Sequence, residues 1–259
     1  MAIPAPAPEL RVYLLVRDLQ RQFAAYLGTP TRARGYPPFE GEHSLIVEVA
    51  PGLAIERVTD LALRAVPAVE PGILFVERQF GVLEVHAPDL ADVERAGQAI
   101  LAGLGANAAD QLRPKILFSD VIKDITDRQA VIINRNRGGS MLIPGHTLLV
   151  CEVTPALFAT VAANEAERAA PGVTLVDVSM IGVAGRIYMS GATPDVLRAQ
   201  QEIAAVSYTH LRAHETRHDR DEGIRRRARR GGCDGEGGER DHRRPRSGGR
   251  RAGGGHHHR

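Results

Sequence analysis

Apolar positions along the first hundred residues fall into short runs whose period switches between that of a strand and that of a helix. Val12–Val16 is a short apolar run that predicts a strand, and Ser44-Leu45-Ile46-Val47-Glu48-Val49 is a β-branched run bounded by turn formers that predicts a buried one. Pro51 is placed to open the next helix, where its missing N–H costs nothing. Leu53, Ala54, Val58, Leu61, Ala62 and Ala65 then recur at spacings of three and four, which predicts one apolar stripe. Gly72–Val76 and Val82–His86 predict a hairpin-like pair, and Leu90–Leu104 a last helix.

The same order returns about 104 residues later. Arg11-Val12-Tyr13-Leu14 falls on Lys115-Ile116-Leu117-Phe118, Gly41 on Gly145, Glu48-Val49 on Glu152-Val153, and Pro51 on Pro155. Arg64-Ala65 falls on Arg168-Ala169 and Gly81 on Gly185, and after one residue of slippage Asp92-Val93 meets Asp195-Val196. The second copy predicts strands at Ile116–Phe118, Leu148–Val153, Val173–Val178 and Arg186–Ser190, with a last helix over Pro194–Ala205. Two repeats of this length predict two homologous domains rather than a solenoid, whose units are shorter and more numerous. Each is expected to be a small α+β domain with its helices on one face of an antiparallel-rich sheet.

Composition changes this picture only at the ends. With 259 residues and 43% hydrophobic content, the chain can bury one large core or two small ones. Residues 1–9, with alternating Pro and Ala, read as a lead-in without the pattern of a signal peptide, and no run of about 18 apolar residues predicts a membrane span. The net charge of +2 conceals an asymmetry: from Val206 onward there are 15 Arg against 8 acidic residues, leaving 18 basic and 23 acidic groups in residues 1–205. Arg225-Arg226-Arg227-Ala228-Arg229-Arg230 alone would suggest a nucleic-acid arm. However, Val206-Ser207-Tyr208-Thr209-His210-Leu211-Arg212-Ala213-His214-Glu215-Thr216 resembles one translated frame of a transposase-type sequencing adapter. Residues 206–259 are therefore expected to be read-through, and neither nucleic-acid binding nor a metal site at His256-His257-His258 is assigned to them. Cys151 and Cys233 lie in regions of different character, which argues against a disulfide framework and for a cytoplasmic protein.

Val47-Glu48-Val49-Ala50-Pro51-Gly52 through Asp60-Leu61-Ala62-Leu63-Arg64-Ala65 resembles the strand–helix–Asp-x-x-x-Arg-Ala unit of the bacterial microcompartment shell domain. Phe75-Val76-Glu77-Arg78-Gln79-Phe80-Gly81-Val82 resembles that domain's pore-loop hairpin. A strand ahead of the unit in both repeats suggests the circularly permuted, tandem-domain, trimer-forming class, which includes the carboxysomal member with a gated pore. In the second repeat Asn164 replaces the motif's Asp, so that copy reads as more degenerate. The resemblance implies ferredoxin-like shell domains at 10–108 and 109–205, and a homotrimeric, pseudohexameric tile whose trimers can stack in pairs. It implies other shell proteins as partners, small metabolites crossing a central pore, no cofactor, no metal, no membrane and no catalysis.

The same resemblance sets the candidate residues. Glu77, Arg78, Gln79, Phe80 and Gly81 would form one pore loop and Ile181, Gly182, Val183 and Ala184 the other, the first charged and bulky, the second small and apolar. Glu77–Arg78 pairs between neighbours would hold the loops shut, with Gly81, Gly182 and Gly185 as hinges. Without the resemblance, Glu77-Arg78 reads as a solvated strand end. Arg64 and Arg168 would lie at tile edges, although alone each is a favourable cation at a helix C-terminus. Asn134-Arg135-Asn136-Arg137-Gly138-Gly139 is either an anion-binding nest or a solvated loop. His86 reads as a satisfied structural histidine, and Asp120, Asp124 and Asp127 as a solvated helical face. Two other classes stay open on the residues: a duplicated ferredoxin-like small-molecule sensor, and a tandem α+β barrel enzyme with its site between the domains.

Overall fold

The computed structural model describes residues 7–29, 35–135 and 140–208. Its first repeat runs β1 (Glu9–Val16), α1 (Arg21–Leu27), β2 (His43–Ala50), α2 (Ala54–Ala65), β3 (Glu70–Val76), β4 (Gly81–Ala87) and α3 (Leu90–Leu104). The second runs β5 (Lys115–Ile122), α4 (Asp127–Arg135), β6 (Thr147–Thr154), α5 (Phe158–Ala169), β7 (Thr174–Ser179), β8 (Gly185–Gly191) and α6 (residues 193–208). Each repeat makes one antiparallel four-stranded sheet, ordered β1-β2-β4-β3 and β5-β6-β8-β7. The predicted α+β class and tandem arrangement are as observed. Between its first and second strands each repeat also carries a helix that the pattern did not predict, α1 and α4.

The spacing of 104 holds for β2 with β6, α2 with α5 and β4 with β8. It fails for the first strand. Leu10 pairs with Val49 as Ile116 pairs with Val153, and both ladders shift register at the next residue, so β1 and β5 are 106 apart. Asp18 and Asp124, both at φ 54, repeat that offset in the following turn. A shift of two leaves every side chain on the same face of its sheet, so the alternation of apolar residues is blind to it.

Three further expectations are corrected. Pro51 and Pro155 follow cis peptide bonds and precede their helices by three residues instead of opening them. The buried stripe of α2 is Ile55, Val58 and Ala62, while Leu53 is exposed just before the helix. Asp120 lies in a strand, Asp124 in a left-handed turn and Asp127 in a helix, so they share no helical face. At the far end α6 runs on through Val206-Ser207-Tyr208, where the Ser207 hydroxyl donates to Ile203 O at 2.9 Å, because adding a turn to a formed helix is easy.

The helices do not keep to one face. One side of the first sheet packs on α2 and α3 through Leu45, Val47, Leu83 and Val85. The other side, bearing Val12, Leu14, Ile46 and Val82, packs on α1 and on α5 of the second repeat in one continuous core. Helix α5 is thus buried from two directions: nine of its twelve residues are buried, against three of twelve in α2. Its alanines at 159, 162, 163 and 166 suit a helix enclosed on both sides.

Candidate functional site

Both candidate loops are hairpin tips at the same end of their sheets. In the first, Glu77 N–H donates to Phe80 O at 2.9 Å, leaving Glu77, Arg78 and Gln79 exposed and Phe80 half-buried. The tip is anchored on the chain entering α2. A Cβ on Gly81 would lie 2.3 Å from Gly52 O, and one on Gly52 would lie 2.3 Å from Glu77 O. The second loop repeats the anchor, since a Cβ on Gly185 would lie 2.1 Å from Ala156 O. Gly81 and Gly185 are therefore close-approach positions and not hinges; Gly182, at φ 132 with open space around it, is the loop's conformationally free glycine. Ile181, Gly182 and Ala184 are half-buried, and Val183 stands out into solvent.

The fold brings the two tips together. Glu77 and Phe80 from the first loop and Ile181, Gly182 and Val183 from the second line one cavity of about 550 Å³; Arg78, Gln79, Gly81 and Ala184 do not line it. Tyr26 and Asp177, which periodicity did not single out, also line it. The Tyr26 hydroxyl donates to Val178 O across the seam between the repeats, and burial pushes its pKa up to about 12 with help from the Asp177 charge. It is a neutral donor at any physiological pH.

The seam is held by polar groups of α5. Glu167 accepts from Gln22 N–H at 2.8 Å and Phe23 N–H at 3.0 Å, closing the open donors of the first turn of α1. Asn164 Oδ1 accepts from Gln20 N–H at 2.8 Å. What looked like degeneracy in the second repeat is an adaptation: position 164 is fully buried, and a neutral amide avoids burying a charge where the first repeat keeps solvated Asp60. Arg168 donates to Arg17 O at 2.6 Å and Asp18 O at 2.8 Å, whereas Arg64 is 81% exposed and pairs with Asp60 on its own helix. The two arginines expected at equivalent edges thus have unlike surroundings.

The family description "CsoS1D N-terminal domain" matches residues 10–110. The carboxysome shell protein CcmP of Synechococcus elongatus is 44% identical over 197 residues, spanning 76% of this chain and 91% of that protein. The chain belongs to the bacterial microcompartment shell proteins. Among solved structures, the double ringed trimeric shell protein MSM0271 from the RMM microcompartment is 66% identical with a TM-score of 0.75, spanning 78% of this chain and 97% of that one. The fused permuted hexameric shell protein MSM0275 from the same microcompartment is 44% identical with a TM-score of 0.75, spanning 78% and 98%.

This shell protein also buries polar and ionisable side chains where strand alternation suggests solvent. Ser44, Glu84 and His86 cluster on the α1-facing side of the first sheet, all essentially inaccessible. Ser44 Oγ donates to Glu84 Oε1 at 2.6 Å, and His86 Nδ1 lies 3.3 Å from both Glu84 oxygens. His86 is only half satisfied, because its buried Nε2 has no hydrogen-bond partner and Glu70 Oε2 is 3.9 Å away. Asn134 clamps the shell protein's 134–142 segment, donating to Leu142 O at 2.9 Å and accepting from Leu142 N–H at 2.8 Å. That use removes it from the suggested anion nest; residues 136–139 and the tail beyond 208, including Arg225–Arg230, Cys233 and His256–His258, lie outside the described residues. Among the described residues, no helix is long and apolar enough to cross a membrane, and no group of three or more His, Cys, Asp or Glu is placed to hold a metal ion.

Proposed function

We propose that three copies of this shell tile close into a ring of six domains, with Glu77–Phe80 and Ile181–Ala184 alternating around a central pore for small metabolites. The observation that carries the reading is the unequal burial of α5 and α2. Helix α5 covers the outer face of the first sheet, while on the matching face of the second sheet α4 covers only the part around Leu148 and Val176 and the rest is left open, with Phe118 54% exposed where its counterpart Val12 is fully buried. Helix α2, bare on the corresponding side, is the element that repeats the contact. The double ringed trimeric description of MSM0271 and the fused permuted hexameric description of MSM0275 support the trimer and extend it to stacked pairs. Other shell proteins are then its lateral partners, and the chain is a structural element with no catalytic role. The repeats are taken as 10–108 and 109–205, with α6 running a turn further.

The first loop supplies the gate. Unit charges about 4 Å apart interact by roughly 4 kcal/mol at an effective dielectric near 20, so alternating Glu77 and Arg78 side chains close the ring of loops and their separation opens it. In a Glu77→Ala, Arg78→Ala double variant, trimers and sheets are expected to form as in the parent, while passage of charged small molecules through reconstituted shells rises. Loss of assembly in that variant sinks the gate assignment.

A further inference from the structure

The contacts made by Arg168 inside the chain show what Arg64 is built to do between chains. The turn that receives Arg168 is reproduced in the second repeat with the offset of 106. Leu19 N–H donates to Glu42 O at 2.8 Å and Gly41 N–H to Leu19 O at 2.9 Å; Ile125 N–H donates to His146 O at 3.0 Å and Gly145 N–H to Ile125 O at 2.8 Å. Asp18 and Asp124 share the same φ of 54 at the apex. The first turn is occupied: Arg168 reaches Arg17 O and Asp18 O, with Asp18 Oδ2 3.6 Å from its guanidinium. The second turn presents the carbonyls of Lys123 and Asp124, both exposed, with the same acidic side chain at its apex. Helices α2 and α5 place Arg64 and Arg168 alike, one residue from their ends.

We infer that Arg64 of one copy donates to the Lys123 and Asp124 carbonyls of the next, and that Asp60 beside it receives the Thr126 N–H at the start of α4. Thr126 corresponds to Gln20, whose N–H is taken by Asn164 within the chain. This inference rests on the trimer proposed above and names the residues of its seam. It also separates two kinds of seam. Within the chain, α5 meets the first sheet through Val161, Leu14 and Ile46 in a continuous apolar core. Between chains, α2 brings Arg57, Asp60 and Arg64 against a face that carries Asp120 and Arg186, all charged. Both seams carry the polar contacts of a helix end, but the first adds an apolar core where the second sets charged side chains beside Phe118, so association between copies weakens with salt more than folding of each copy does.

The test is the trimer–monomer equilibrium of the full chain, followed by light scattering and sedimentation at several salt concentrations, with sheet formation scored on the same samples. Arg64→Ala is expected to raise the concentration needed for trimers on the order of tenfold or more, since charge-assisted hydrogen bonds are lost, and to leave the monomer's circular dichroism unchanged. Arg64→Lys, which keeps the charge, should recover part of the loss. In a Cys233→Ser background, Arg64→Cys with Asp124→Cys treated with a short bis-maleimide should give covalent trimers. Full-strength Arg64→Ala trimers that fail only to form sheets would place Arg64 at a tile edge and overturn the inference, as would cross-linked dimers without trimers. A parent chain that is not trimeric at any concentration overturns the trimer itself, a separate result.

Discussion

Replacing Glu167 with alanine probes the seam inside the chain most directly. The carboxylate accepts two backbone N–H groups of α1, at 2.8 and 3.0 Å, and Gln20 at the start of that helix supplies no side-chain cap of its own. Truncation strands two enclosed donors, each worth about 1–3 kcal/mol when unsatisfied, and removes an anion from a helix N-terminus, worth up to about 1 kcal/mol more. Relief from burying the carboxylate, which is 6% exposed, offsets part of this, leaving a loss of about 3 kcal/mol. For a folded region of this size, about 2–4 °C is lost per kcal/mol, so Tm should fall by roughly 6–12 °C. Calorimetry at fixed protein concentration reads the shift without confusion from association. Glu167→Gln keeps one acceptor oxygen and should lose about half as much. An alanine variant melting within about 2 °C of the parent, or a glutamine variant as damaged as alanine, would refute the capping argument.

Two further outcomes follow from buried titratable groups. Burial pushes the Cys151 thiol up to about 11, so iodoacetamide at pH 8 should leave the Cys151 peptide unlabelled in the native protein and label it in urea; rapid native labelling would contradict the packing of β6. At His86 burial favours the neutral ring, but Glu84 above all, with Glu42 and Glu70, outweighs it and holds the pKa above 6.5. Its contribution to stability is then complete below 6.5 and is lost as pH rises through the raised value, so the urea midpoint should fall over that interval in the parent and stay flat in His86→Gln. Parallel curves would remove His86 from the account.

The sequence carried the strands and their order because β-branched runs between turn formers leave few alternatives, and self-comparison carried the duplication. It could not carry what depends on a partner surface. The two-residue offset of β1 against β5 preserves side-chain parity and so leaves no trace in the pattern. Glu84 and His86 obey the alternation that means solvent, and only tertiary burial makes that face an interior. Asn164 and Glu167 act on backbone groups about 144 residues away, a relation no local spacing encodes. The one advance signal was in α5 itself, whose alanines and Phe158 cover more than one face of a helix and therefore ask for two neighbours. Tyr26 and Asp177 at the cavity gave no such signal, lying in a short helix and in the middle of a short strand.

The shared core between the repeats has a consequence for how such a tile would come apart. Six equal joints would let a ring exchange single domains or fail anywhere. In the ring proposed above, alternate joints would be covalent and backed by an apolar core, so the unit of exchange would be a wedge of two domains, and the joints between chains are where a ring would open. Repair or growth of a shell would then proceed by whole wedges, and an excised single repeat, deprived of the helix that completes its neighbour's interior, would not serve as a replacement part.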